Sequence, residues 1–147
     1  MDTSLPSANA ASVSNLFRLS ALLAEPTFAL LARETLAAFE VEMLQYPWLF
    51  PGLLAGVVAA RLGGRHYAVV EGEGEPAPLA KRLNHAVLAS PSGGLRTLAW
   101  VKDGSWLAGK NRLLSDLSPF GDRECLVLDG SAYRACTEDD LPSRPGE

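Results

Sequence analysis

Residues 43–60, "MLQYPWLFPGLLAGVVAA", carry no charged side chain, and this run limits the fold more than any other stretch of the sequence. A membrane-spanning helix needs roughly 20 consecutive apolar residues, so the length alone raises that possibility. Pro47 and Pro51 divide the run and Gln45 interrupts it. Because proline removes an amide donor and clashes with the preceding turn, a buried loop and helix is favoured over one continuous spanning helix.

The helical reading extends to both sides. Over residues 7–23, Val13, Leu16, Phe17, Leu19 and Leu22 recur at helical spacing, with Ser7 placed as an N-cap after Pro6. Pro26 suits the first turn of a second helix, on which Phe28, Leu31, Leu36, Phe39 and Met43 line one face while Arg33, Glu34 and Glu40 lie off it. A short connection makes these two helices antiparallel. Pro51 opens a third, through Leu53, Leu54, Val57, Val58 and Leu62, which Gly63 and Gly64 close. Gly52, Gly56 and Ala60 form a smooth strip along it, suited to close helix packing.

After Gly64 the pattern changes. "HYAVVE" reads as a strand, "PAPLAKRLNHAVLA" as a helix, "LRTLAWV" and "ECLVLD" as strands, with "SAYRAC" a partner for the last across Gly130. Strand, helix, strand implies a βαβ unit with a right-handed crossover, in a small and mainly parallel sheet. The expected class is α+β: about three antiparallel helices over residues 1–64, a small α/β subdomain with a βαβ-containing mixed sheet over 65–141, and a loose tail at 142–147.

The 147 residues have the length of one ordinary domain, and 48% hydrophobic content supplies a core. A formal charge of −4, from 13 basic and 17 acidic residues, gives no drive toward nucleic acid or an anionic membrane. The two cysteines, with no start-of-chain pattern of an export signal, point to the cytoplasm.

Few motifs carry chemistry. "GEGEPA", residues 72–77, formally satisfies a dinucleotide fingerprint between a strand and a helix. Glu71, Glu73 and Glu75 would surround a bound pyrophosphate with negative charge, and Pro76 lacks an amide donor, so an acidic turn is favoured. His66 and His85 have no second histidine or cysteine at ligand spacing, and neither a metal nor a cofactor is expected. No serine lies in a nucleophile-elbow context. Cys125 and Cys136 are not in a C-x-x-C arrangement and read as buried structural thiols. Trp48, Trp100 and Trp106 fit core or interface packing better than a sugar-binding surface. At the start of the first helix Asp2, Ser7 and Asn9 gather a carboxylate, a hydroxyl and an amide where backbone N–H groups point outward, which suits either capping or the lining of a pocket.

"DTSLPSANAASVSNLFRL" resembles a segment written D-G-A-x-P-S-x-N-S-x-x-x-x-N-L-x-R-L in the spermatogenesis-associated protein 20-like, thioredoxin-domain proteins, with Asp2, Pro6, Ser7, Asn9, Asn15, Leu16, Arg18 and Leu19 matching. The helical hairpin that follows and "HYAVVEGEGEPAPLAKRLNHAVL" resemble the next parts of that family, so nearly the whole chain aligns with its C-terminal portion. Thr3 and Ser4 depart from the family's Gly and Ala. In the best register of "VLDGSAYR", Leu128 and Tyr133 stand where the family carries two cysteines.

The resemblance implies that Met1 falls inside a longer chain, which would hold a thioredoxin-like domain and an (α/α)6 toroid similar to N-acylglucosamine 2-epimerases and six-hairpin glycosidases. It implies a carbohydrate-related parent function, a small carbohydrate-like ligand in the full-length context, and no catalysis by this stretch, with Asp2, Ser7 and Asn9 as pocket remnants. A different expectation is a non-enzymatic module that docks a protein partner through its exposed helical face.

Overall fold

A computed structural model describes residues 7–73, 75, 77–89 and 95–141. The chain divides into two units, one of Met1–Ala21, Glu25–Gly64 and Gly93–Leu95, the other of Leu22–Ala24, Arg65–Ser92 and Arg96–Glu147. Asp2 and the tail at 142–147 lie outside the described residues, as do Gly74 and Pro76 of the acidic turn.

Local chemistry sets the helix ends of the first unit. Helix α1 (Ala8–Leu23) starts where Ser7 Oγ accepts from Ala10 N at 3.3 Å, satisfying one of the unpaired N–H groups of the first turn. Ala24 turns the chain with a positive φ of 52°. Helix α2 (Pro26–Ala38) is capped by Glu25, whose carboxylate accepts from Thr27 N and from Thr27 Oγ1, the latter at 2.7 Å. Helix α4 (Pro51–Leu62) has Pro51 in its first turn and ends at Gly63, where φ is +74° and the N–H donates to Ala59 O at 3.0 Å.

The second helix expected from Pro26 to Met43 is two helices. The chain breaks at Phe39, with φ −114° and ψ 11°, and restarts as α3 (Glu40–Gln45). The Phe39 ring packs 6.4 Å from that of Phe50 beside buried Met43, which one straight helix would not present to the same core. Leu31, expected on the inner face, is exposed, and the helix buries Ala32 and Leu36 instead. A 3-10 turn (Pro47–Leu49) leads into α4. The core of this unit joins Ala10, Val13 and Phe17 of α1 to Leu36, Met43, Phe50 and Leu53.

The second unit is a four-stranded mixed sheet in the order β2-β1-β3-β4, from β1 (Gly64–Val70), β2 (Leu95–Val101), β3 (Cys125–Asp129) and β4 (Ala132–Ala135). His66 lies beside Thr97, and Glu71 N donates to Val101 O at 2.7 Å, so β1 and β2 advance together in parallel, joined by α5 (Pro78–Ala89). The other two pairings are antiparallel, with Tyr67 opposite Val127 and Val127 opposite Arg134. The sheet is therefore not mainly parallel: β3 enters beside β1 from the opposite direction, and Gly130, at φ +61°, lets β4 fold back directly.

The buried run at 67–70 makes β1 a central strand covered on both faces. Ala68, Val70 and Leu126 face the segment after β2, which carries α6 (Trp106–Lys110), Leu114 and Leu117. Tyr67, Val69, Cys125 and Val127 face Ala80 and Leu83 of α5. Asn111 is fully buried in this unit, its Nδ2 donating to Leu22 O at 3.0 Å and its Oδ1 accepting from Leu113 N.

Candidate functional site

An open groove of about 400 Å³ runs between α1 and α4 in the first unit. One wall presents Ser14, Asn15 and Arg18 of α1 after Ala10 and Ala11; the other is the small-residue face of α4, with Gly52, Ala55, Gly56 and Ala59, and Leu95 also contributes. The groove exists because these residues have almost no side chain, leaving the space between two helices unfilled beside the contact at Gly56. Its described lining offers a hydroxyl, an amide and a guanidinium but no carboxylate, imidazole or thiol.

Of the predicted pocket residues, Ser7 caps α1 and Asn9 is exposed on its first turn, while the groove lining begins at Ala10. The polar residues lining the wall, at 14, 15 and 18, were not singled out for a site in the sequence; their position opposite the glycine and alanine strip of α4 is the signal that could have found them.

The acidic turn has a structural explanation. A Cβ on Gly72 would lie 2.7 Å from Asp122 Cβ, so the chain passes too close to the 121–124 segment for any side chain there. Arg123 Nη1 donates to Glu75 O at 2.8 Å, and Lys81 pairs with the Glu75 carboxylate at 2.7 Å. These contacts occupy the turn where a pyrophosphate would have to approach.

Cys125 and Cys136 are free thiols. Continuing the β3–β4 register places them opposite each other, and Cys136 N donates to Cys125 O at 2.7 Å, a neighbourhood that their separation in sequence does not show. Cys125 is buried and Cys136 half-buried; burial pushes both thiols up, Cys136 to about 11, so neither is a reactive thiolate at neutral pH. Trp48, Trp100 and Trp106 are exposed, so the core half of the core-or-interface expectation does not hold for them, and the interface half concerns surfaces outside the chain. Among the described residues no cluster of histidine, cysteine or carboxylate side chains could hold a metal ion, and no helix is long and apolar enough to cross a membrane.

His66 is half-buried, with Nδ1 2.8 Å from Thr97 Oγ1, and burial lowers its pKa to about 4. In the unfolded chain the ring titrates near its ordinary value of about 6.5, so protonation favours unfolding. The stability contributed by the neutral ring is complete above about pH 6.5 and is lost as the pH falls toward 4, a loss of about 2–3 kcal/mol. The urea midpoint of the natural chain is expected to fall between pH 7 and pH 4.5. A His66→Gln chain should hold its midpoint over that range, and an equal fall in both would assign the effect elsewhere.

Comparison of the chain with family models, curated proteins and solved structures found no match.

Proposed function

We propose that the chain is a non-catalytic part of a larger helical assembly, its first unit a piece of an (α/α)6 toroid of the spermatogenesis-associated protein 20-like kind. The observation that carries this reading is the placement of exposed apolar surface. Among the described residues, Leu30 is 56% exposed, Val41 71%, Leu44 78% and Trp48 71% in the helical unit, against Trp100 and Trp106 in the other. Scattered apolar side chains are ordinary on a protein surface, and several large ones on consecutive elements of a small unit support, under this reading, coverage by further structure. In a toroid, further helical hairpins supply it.

Chemistry supports a non-catalytic role for this portion. Acid and base groups must converge within hydrogen-bond reach of a reacting atom, and the groove brings none together. A small carbohydrate-like ligand would be held only in the completed toroid, where inward-facing helix ends from other hairpins supply the rest of its site. The two free thiols are consistent with a cytoplasmic setting.

The same surface supports a second reading, a self-sufficient module that docks a protein partner in trans. Purified chain separates the two. A toroid piece is expected to bind a hydrophobic dye and to self-associate, and a Leu44→Glu, Trp48→Ser chain should lose both properties while melting at an unchanged temperature. A natural chain that is monodisperse, silent toward the dye and cooperative in unfolding would reject the toroid reading in favour of the module.

A further inference from the structure

Near the C-terminal 3-10 turn (Glu138–Asp140), which carries three acidic residues, the second unit gathers several arginines. Arg65 and Arg96 stand side by side on the parallel strands β1 and β2, because His66 and Thr97 meet at 2.8 Å and the residues before them project together from the opposite face, the one that carries Tyr67. Like charges placed in this way repel. Arg65 is drawn toward Asp140, with Nη1 3.4 Å from its carbonyl oxygen and 3.6 Å from Oδ1. Asp140 is already gripped by Arg134 through two bonds of 2.8 Å, and Arg134 Nε takes Asp129 at 3.0 Å. Arg65 and Arg134 thus share Asp140, and Arg134 also holds Asp129, while Arg82 of α5 is matched by Glu138 at 2.7 Å.

Among the described residues no carboxylate pairs with Arg96. Its Nη1 is buried and donates to no acceptor. A buried donor without a partner is costly, more so on a charged group, and the Tyr67 hydroxyl nearby is committed to Asp140 O at 2.8 Å. What Arg96 lacks is an oxygen acceptor for this nitrogen.

We propose that Arg96 and Arg65 bind a small oxyanion, the phosphate or carboxylate group of a ligand. A guanidinium fork presents parallel N–H groups that match two oxygens of either group, and the apolar residues around Tyr67 strengthen the attraction by excluding water. The proposal is independent of the toroid reading.

Calorimetric titration of the full chain with inorganic phosphate and, separately, with acetate at constant ionic strength tests it. Saturable binding of at least one anion is expected, weakened about tenfold or more in Arg96→Met and less in Arg96→Lys, which keeps the charge but loses the fork. In anion-free buffer Arg96→Met should melt at the same or a higher temperature, since it removes an unmet buried donor. Tighter phosphate than acetate binding would identify a phosphoryl ligand, and the reverse order a carboxylate. The proposal is overturned if neither anion saturates, if Arg96→Met binds as the natural chain does, or if that variant melts lower or fails to fold without anion, because Arg96 would then already have its partner within the chain.

Discussion

Replacing Gly56 by leucine is expected to destabilise the helical unit by about 3 kcal/mol or more, measured as a lower urea midpoint of the helical circular dichroism signal. A Cβ at this position would stand 2.7 Å from Val13 Cγ1 and 3.3 Å from Leu36 Cδ2. Val13 is fully buried and β-branched, so its side chain has little rotameric freedom to retreat. Alanine meets the same obstacle but recovers about 1 kcal/mol of helix propensity, giving a smaller loss. Leucine adds a branched end for which the packed helices leave no room. Gly109→Ala is the control: nothing lies within 4 Å of its Cβ position in α6, and a gain of about 0.5–1 kcal/mol is expected. A Gly56→Leu chain as stable as that control would show that α1 and α4 do not approach this closely.

Asp140→Asn is expected to cost about 2–4 kcal/mol, toward the lower end because Arg134 is half exposed and its charge is screened. The buried carboxylate accepts from both terminal nitrogens of Arg134, from Thr137 N at 2.9 Å and from Thr137 Oγ1 at 3.0 Å. An amide of the same shape turns two of its hydrogens toward groups that are themselves donors. Hydrogen bonding from Arg134 and Thr137 also holds the Asp140 carboxyl well below the usual carboxylate range. A carboxyl lowered on folding contributes stability that is present above its unfolded pKa of about 3.9 and is lost as the pH falls toward the folded value. The natural chain should therefore lose further stability below about pH 4, a window distinct from that of His66, and Asp140→Asn should lack that acid step. Denaturation curves at pH 7 and pH 3 check both points, and an unchanged midpoint for the variant at pH 7 would remove Asp140 from the stabilising contacts.

Features set by neighbouring residues were readable from the sequence. Ser7, Pro26, Pro51 and Gly63 mark helix ends through capping and backbone geometry that involve only a few adjacent groups. The alternation of strand and helix after Gly64, and the hairpin across Gly130, follow from equally local patterns. The break at Phe39 did not show, because no proline or glycine marks it and the ring contact with Phe50 that accompanies it is made outside the helix. The direction of β3 was equally hidden, since the route taken after β2 decides it. Asn111 shows locally only as the end of α6, where its Oδ1 accepts from Leu113 N; its burial depends on a carbonyl that the chain placed 89 residues earlier. For the candidate sites, the small-residue strip of α4 was visible, whereas its facing wall required the helix pairing. Arg96 sits in "LRTLAWV" as one cation in a run of strand formers, and only the neighbouring strand reveals that it stands beside Arg65 with its buried Nη1 unmet.

The position of β1 second in the sheet ties together distant moments of synthesis. Its inner neighbour β3 begins at Cys125, so a chain released or cleaved between Val101 and Cys125 would hold a strand with an apolar half at 67–70 and one row of backbone donors and acceptors unmet. Such a product offers a ready template for joining to other chains. The described portion of this unit accordingly has no internal point after β2 at which it can be shortened without creating a sticky edge, and any useful dissection of the protein has to keep residues 65–135 together.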